Sequence, residues 1–229
     1  MSRLNVAALV PAYQAAAHLG EVLMGLAALP DRPHVLVVDD GSRDATAEVA
    51  RQHGVQVHSF TANRGKGHAL LAGFELLRDF DAVVTLDADG QHPPSCLPTF
   101  VAAAEAGADL VLGQREITPN MPPARRFANR FSSAWCSHIA GQPILDSQCG
   151  YRLYRREVLL RTPVQASRYE VETEMAVRAA RLGFRVAHVP IPTVYGDETS
   201  HLSPTRDVPR IVAMMWRLTF EAKPSPKDS

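Results

Sequence analysis

The 229-residue sequence has few cysteines, no excess of either charge and no long apolar run. Its three cysteines, Cys96, Cys136 and Cys149, are too scattered for a disulfide framework or a zinc site, which indicates a reducing compartment. The 24 basic and 24 acidic side chains cancel, so we expect no nucleic-acid partner. No run approaches the roughly 18 apolar residues of a membrane-spanning helix, and the first segment lacks the apolar region of a signal peptide. We therefore expect a cytoplasmic protein whose only membrane contact would be peripheral, at the inner face of the membrane.

Short apolar runs alternate in the sequence with segments of helical spacing. This alternation predicts βαβ units and a mostly parallel central sheet flanked by helices, an α/β fold in a single domain. We assign residues 1–222 to this domain and residues 223–229 to a disordered polar tail. The predicted strands are residues 4–10, 35–38, 55–58, 81–86, 108–113, 153–154 and 184–189. The predicted helices are residues 15–29, 45–52, 69–78, 93–106, 124–139, 168–182 and 205–221.

The segment Asp87-Ala88-Asp89-Gly90-Gln91 directly follows the apolar strand predicted over residues 81–86. Carboxylates at the end of a strand lie at the edge of the sheet, and Gly90 allows a sharp turn there. Carboxylate and amide oxygens are hard ligands that suit Mg²⁺ or Mn²⁺ carried with a diphosphate. A solvated turn is the alternative interpretation of this segment taken alone.

Other polar and aromatic residues also follow predicted strands, and ligands of parallel sheets bind beyond the carboxyl ends of strands. These residues are Tyr13, Asp39, Lys66, Asp87 and Arg115. Together they could hold a nucleoside diphosphate: Tyr13 stacks on the base, Asp39 accepts hydrogen bonds from base or ribose, and Lys66 contacts phosphate. Asp89 and Gln91 would hold the metal, with Arg115 as a second cation.

Four segments in order resemble glycosyltransferase family 2, closest to its dolichol-phosphate mannosyltransferase and polyprenyl-phosphate glycosyltransferase branch. They are Val10-Pro11-Ala12-Tyr13, Val38-Asp39-Asp40-Gly41-Ser42, Asn63-Arg64-Gly65-Lys66-Gly67 and residues 87–93, and residues 146–152 add a fifth. The resemblance covers roughly residues 4–215. It departs from the family at Gln14-Ala15, where a nucleoside-binding Glu is missing, and at His201, where a basic residue often follows Ser200.

The resemblance implies a GT-A type, Rossmann-like fold that binds a nucleotide-sugar, with GDP or UDP as the nucleotide, and transfers the sugar with inversion. Pro11, Tyr13, Asp39 and Asp87 would then line the nucleoside. Asp89 and Gln91 would bind Mg²⁺ or Mn²⁺, and Lys66 and Arg115 would face the diphosphate.

The acceptor decides which catalytic groups the reaction needs. A hydroxyl acceptor requires a general base, whereas a polyprenyl phosphate is already mostly dianionic at neutral pH and needs cations more. Arg125, Arg126 and Arg130 suit a lipid phosphate, and we name Arg126 as a catalytic candidate. Asp146 is the first candidate for a base or acceptor-orienting carboxylate. Glu172 and Glu174 follow as second candidates, of which we name Glu174 as catalytic. At most one of them faces the site because residues two apart do not share a helix face.

Three interpretations of function stay open: transfer of a hexose to polyprenyl phosphate, transfer to a sugar or lipid hydroxyl, and nucleotide-sugar binding without turnover. The helix predicted over residues 205–221 has an apolar stripe and several arginines. Such a stripe is explained by a membrane surface, by a homodimer interface or by core packing.

Overall fold

The computed structural model describes residues 3–115, 123–192 and 204–221. Their seven strands are β1 (Val6–Ala12), β2 (His34–Asp39), β3 (Gln56–Ser59), β4 (Ala82–Thr85), β5 (Leu110–Arg115), β6 (Arg152–Arg155) and β7 (Val186–Ile191). The α-helices are α1 (Leu19–Ala27), α2 (Thr46–Gln52), α3 (Lys66–Leu76), α4 (Leu97–Glu105), α5 (Pro123–Ala140), α6 (Arg156–Arg161), α7 (Glu170–Arg181) and α8 (Pro204–Phe220). A 3₁₀ turn, Pro94–Cys96, precedes α4.

The strands form one sheet in the order β3-β2-β1-β4-β6-β5-β7. All neighbouring pairs are parallel except those of β6, which runs antiparallel to both β4 and β5. The mostly parallel α/β sheet expected from the sequence is therefore confirmed. The reversal at β6 delivers the segment before it, residues 146–151, to the edge where the parallel strands β4 and β5 end.

Both faces of the sheet are covered by helices, as the apolar strand sequences predict. Side chains of a strand alternate between faces. Leu9 accordingly belongs to the buried cluster that includes residues of α3, α5, α7 and α8, whereas Ala8 and Val10 belong to the cluster that includes residues of α1 and α4. The carboxyl ends of β1, β2, β4 and β5 lie at one edge of this sheet. That edge is where the predicted site residues lie.

The sequence missed α6, a short helix that follows β6 directly and buries Val158. It also placed the start of α3 at residue 69, whereas the helix begins at Lys66. The predicted tail lies outside the described residues, so the domain boundary stays a prediction. In the described part of the chain, no helix is both long and apolar enough to cross a membrane.

Gly73 tests how closely α3 packs on the sheet. A Cβ at this position would overlap the side chain of Leu9 on β1. Gly73→Ala should therefore destabilise the fold by about 1–3 kcal/mol despite the higher helix propensity of alanine. Gly20→Ala in α1 is the matched control, because its Cβ would lie 3.4 Å from the nearest atom and fits. Urea unfolding measures both variants, and an unchanged midpoint for Gly73→Ala would contradict this packing.

Candidate active site at the carboxyl edge of the sheet

The carboxyl ends of β1, β2, β4 and β5 bring most of the predicted site residues to one edge of the sheet. Pro11 is buried near the end of β1 and Tyr13 follows that strand. Asp39 is the last residue of β2 and is 4% exposed. Asp87 lies two residues after β4, and Arg115 ends β5.

Lys66, at the start of α3, lies between two carboxylates. Its Nζ is 2.6 Å from Oδ1 of Asp87 and 3.0 Å from Oε2 of Glu172 in α7. Burial alone would lower the pKa of Lys66, but the two carboxylates outweigh it and hold that pKa above its ordinary value. For Asp87, burial opposes the charge and Lys66 favours it, with a net lowering of its pKa. Both groups are therefore charged at neutral pH.

Gly150 allows the Lys66–Asp87 pair to form. A Cβ on Gly150 would lie 2.6 Å from Oδ2 of Asp87 and 2.8 Å from Nζ of Lys66. The Thr85 hydroxyl, in β4, donates to the carbonyl oxygen of Gly150 at 2.9 Å and fixes this segment against the strand. The segment before β6 thus closes one side of the site, and only glycine fits there.

Arg115 and Asp146 form a second buried ion pair. Nε of Arg115 donates to Oδ2 of Asp146 at 2.7 Å, and a terminal guanidinium nitrogen donates to Oδ1 at 2.9 Å. Burial alone would raise the pKa of Asp146, but these bonds hold it below its ordinary value of 3.8. Asp146 is therefore ionised and engaged on both oxygens, which makes it a weak proton acceptor.

The loop before α3 is held by a residue to which the sequence gave no role, Asp40. Its carboxylate accepts hydrogen bonds from the backbone N–H groups of Arg64 and Gly65, both at 2.7 Å. Two backbone bonds to one buried carboxylate fix the loop and hence the position of Lys66. The signal for this role was the second carboxylate of Asp39-Asp40, directly after a strand and facing an Asn-Arg-Gly loop.

Gln14, where the family usually has Asn before Glu, joins two loops of the edge. Its Oε1 accepts hydrogen bonds from the backbone N–H groups of Arg43 and Asp44, at 2.9 and 3.2 Å. Gln14 adopts a positive φ of 51°. The other departure noted in the sequence, Ser200-His201, lies outside the described residues.

Asp89, Gly90 and Gln91 form a tight turn that follows β4 at the carboxyl edge of the sheet. Gly90 has a φ of +74°, and Oδ1 of Asp89 accepts the backbone N–H of Gln91 at 3.0 Å. Within the described residues, no three His, Cys, Asp or Glu side chains cluster in a way that would hold a metal alone. One carboxylate with an amide oxygen instead fits a cation such as Mg²⁺, which takes few protein ligands and completes its shell with substrate phosphates and water.

Glu174, predicted from the sequence as a catalytic carboxylate, does not face the other site residues. It is fully buried and accepts hydrogen bonds from the backbone N–H groups of residues 165 and 166, at 3.1 and 2.7 Å. It also binds Arg178 at 2.8 Å and Arg217 at 2.7 Å, which ties α7 to α8. Of the two carboxylates predicted to compete for the site, Glu172 is the one beside Lys66.

Two further arginines, Arg126 and Arg152, lie in α5 and β6. Arg126, the predicted acceptor-binding residue, lies half-buried in the first part of α5. Arg152, in β6, is 1% exposed and was given no role by the sequence. Its guanidinium donates to the carbonyl oxygens of Cys149 at 2.7 Å and Ser147 at 2.8 Å, and to that of Glu172. It therefore joins the segment before β6 to α7.

A mostly parallel sheet whose carboxyl edge carries two cation–carboxylate pairs defines the chain as an α/β protein with a charged site at that edge. Residues 7–161 match the model of glycosyl transferase family 2, and this exceeds half of the chain. The chain therefore belongs to that family, a family of enzymes, and the expected class of glycosyltransferase is confirmed.

Characterised relatives of this chain carry names from the polyprenyl-phosphate branch. Polyprenol monophosphomannose synthase of Mycolicibacterium smegmatis is 37% identical over 69% of this chain, and the match spans 65% of that relative's length. Undecaprenyl-phosphate mannosyltransferase of Micrococcus luteus is 33% identical, over 83% of this chain and 84% of the relative. Dolichyl-phosphate hexose transferase of Haloferax volcanii is 32% identical over 82% of each chain.

Solved structures confirm the GT-A type fold. Glucosyl-3-phosphoglycerate synthase from Mycobacterium tuberculosis in complex with UDP has a TM-score of 0.77 at 22% identity, over 97% of this chain and 82% of the other. The same enzyme with Mn²⁺, UDP-glucose and phosphoglyceric acid has a TM-score of 0.78 at 20% identity, covering 97% and 82%. At this identity the likeness concerns the fold alone, and the roles of the site residues stay predictions.

The buried pair of Arg115 and Asp146 predicts how stability depends on pH. The pKa of Asp146 is lower in the folded than in the unfolded chain, so the pair stabilises above the unfolded pKa and loses this effect as pH falls through the folded pKa. Asp146→Asn should therefore destabilise the fold by about 1–3 kcal/mol at neutral pH. Its difference from the wild type should shrink below about pH 4.

Urea unfolding at several pH values measures this difference. Asp31→Asn, which breaks the exposed pair with Arg3, is the control and should change stability little at any pH. A difference for Asp146→Asn that stays constant from neutral to acid pH would contradict the ion pair.

Proposed function

We propose that this chain transfers a hexose from a GDP- or UDP-sugar to a polyprenyl phosphate, with inversion at the sugar and with Mg²⁺ or Mn²⁺ as cofactor. The observation that carries the proposal is the collection of Lys66, Arg115 and the Asp87–Gln91 turn at one edge of the sheet. Cations at this edge would stabilise the negative charge that develops on the departing diphosphate. Such electrostatic stabilisation is usually the largest contribution to catalysis of this class of transfer.

The donor is proposed to lie across the edge with its nucleoside over β1 and β2. Pro11, Tyr13, Asp39 and Asp87 line the nucleoside in this proposal, with Tyr13 stacked on the base. Lys66 and Arg115 face the diphosphate. An ammonium has three N–H donors, and Asp87 and Glu172 are the ion-pair partners of Lys66 among the described residues, so a third donor is proposed to contact a phosphate oxygen.

Asp89 and Gln91 are proposed to hold the metal ion. When bound, the ion supplies positive charge at the diphosphate and thereby stabilises the leaving group. The turn that presents these two side chains is fixed by its own hydrogen bond and by the positive φ of Gly90.

The acceptor is proposed to be a phosphate because the candidate base is poorly suited to take a proton. Both oxygens of Asp146 are bound by Arg115, and its pKa is lowered. A phosphate oxygen needs no base: it forms the bond to C1 of the sugar while the bond from C1 to the diphosphate breaks, and the nucleoside diphosphate leaves. Arg126 is proposed to attract the acceptor phosphate, and the names of the relatives support a polyprenyl chain.

The membrane carrying that acceptor is proposed to meet an aromatic strip, defined as Phe127, Phe131, Trp216 and Phe220. These side chains are 57–73% exposed. Trp135 donates to the hydroxyl of Thr219 at 3.2 Å and joins the two helices that carry the strip, α5 and α8. Exposed aromatic residues with neighbouring arginines favour an anionic lipid surface. We therefore propose a cytoplasmic protein attached peripherally to the inner face of the membrane, with a homodimer through this strip as the alternative.

Release of nucleoside diphosphate tests the reaction directly. Mixing the protein with GDP- and UDP-sugars, Mn²⁺ or Mg²⁺ and a polyprenyl phosphate should release the nucleotide for one donor and stop when the metal is chelated. Asp89→Asn should lower this rate at least about 100-fold. Asp79→Asn, at an exposed position, is the control and should keep the rate.

Each other outcome contradicts a defined part of the proposal. Turnover only with a sugar or lipid hydroxyl, abolished by Asp146→Asn, would replace the phosphate acceptor. Tight binding of a nucleotide-sugar without turnover on any acceptor would favour a non-catalytic binding protein.

The aromatic strip predicts binding to lipid. The double variant Trp216→Ser and Phe220→Ser should lower cosedimentation with anionic phospholipid vesicles about tenfold or more, because two exposed aromatic side chains are lost. Leu76→Ser with Leu160→Ser, which removes exposed apolar side chains elsewhere, is the matched control. Equal sedimentation of both double variants would contradict membrane docking, and a loss of dimer in the first would favour the interface between copies.

A further inference from the structure

Lys66 carries one positive charge but contacts two carboxylates, so the three groups together carry excess negative charge. Nζ contacts Asp87 from β4 on one side, at 2.6 Å, and Glu172 from α7 on the other, at 3.0 Å. The side chains of Lys66 and Glu172 are only 16% and 9% exposed. One ammonium between two carboxylates leaves a net charge of −1 at the place where the proposed diphosphate binds.

Glu172 maintains this contact at an energetic cost. Only its Oε2 contacts Lys66, whereas Oε1 is buried with no hydrogen-bond partner among the described residues. A buried carboxylate oxygen without a hydrogen-bond partner lowers the stability of the folded chain. An apolar or amide side chain at position 172 would lower that stability less. Lys66 already has Asp87 as a partner, so neutralising Lys66 does not require Glu172.

Both ends of the contact are fixed by the backbone around them. Asp40 binds the N–H groups of Arg64 and Gly65, directly before Lys66. Arg152 donates to the backbone carbonyl of Glu172 and to that of Ser147, which holds the first turn of α7 in place. The backbone on both sides of the contact is therefore fixed, Glu172 stays within reach of Lys66, and an anion that approaches Lys66 competes with it for the ammonium.

We propose that Glu172 is a positioning residue that acts through Lys66: it restrains the ammonium and weakens the attraction of the site for nucleoside diphosphate, so that the product leaves readily. The inference rests on the proposed function, in which Lys66 faces the diphosphate.

The sign of the effect distinguishes this role from a structural one. Glu172→Gln removes the competing charge, so the affinity for UDP or GDP, whichever the wild type binds, should rise about fivefold. The gain should be smaller for the nucleoside monophosphate and absent for the nucleoside. A merely structural residue would weaken all three ligands together. Titration calorimetry in the presence of Mn²⁺ measures the three dissociation constants.

Glu75→Gln is the matched control, because it also removes a carboxylate from an ion pair on α3, that with Arg78, outside the site. It should leave all three affinities unchanged. Glu172→Asp keeps the charge but shortens the side chain, and should give a smaller gain for the diphosphate. It decides the question if Glu172→Gln does not fold.

The outcomes of this titration distinguish a failure of the Glu172 inference from a failure of the proposed function. If the wild type binds neither UDP nor GDP, the proposed function fails and the inference fails with it. If the wild type binds one of them and the Glu172 variants bind it equally or more weakly, only the inference is overturned.

Discussion

The ion pair between Lys66 and Asp87 is the interaction on which the rest of the site depends. It joins the first residue of α3 to the end of β4, and so fixes a helix relative to the strand that carries the Asp87–Gln91 turn. The two side chains are 16% and 28% exposed, and loss of Lys66 would leave both Asp87 and Glu172 without their cation. Gly150 lies against this pair, and a Cβ at position 150 would overlap both side chains, so the pair requires glycine there.

The antiparallel strand β6 has a functional consequence. A parallel strand at this place would send its preceding segment to the opposite edge of the sheet, away from β4 and β5. The reversal instead brings Asp146 to Arg115 and Gly150 to Asp87. Arg152 then fixes this segment to α7 through three backbone carbonyls, so the two ion pairs of the site share one rigid support.

The sequence predicted the α/β fold and the edge where the site lies. The carboxyl ends of parallel strands lie at one edge of a sheet, and polar residues follow these strands in the sequence. It named Glu174 as the catalytic carboxylate, whereas Glu172 is the one beside Lys66, since the phase of a helix relative to the sheet depends on tertiary packing. It also gave no role to Arg152 or Asp40. Both bind backbone groups of distant segments, so the sequence showed the polar residues but not their partners. An arginine next to the apolar Leu153-Tyr154 was the available signal for Arg152.

We propose that a divalent cation and a diphosphate meet at the carboxyl edge of this sheet. The most direct measurement is a crystal structure with Mn²⁺ and a nucleoside diphosphate, with the ion located by its anomalous scattering. The account predicts one manganese peak beside Asp89 and Gln91, with the diphosphate between that ion and the cations Lys66 and Arg115. Both ligands bound at another surface of the protein would contradict it.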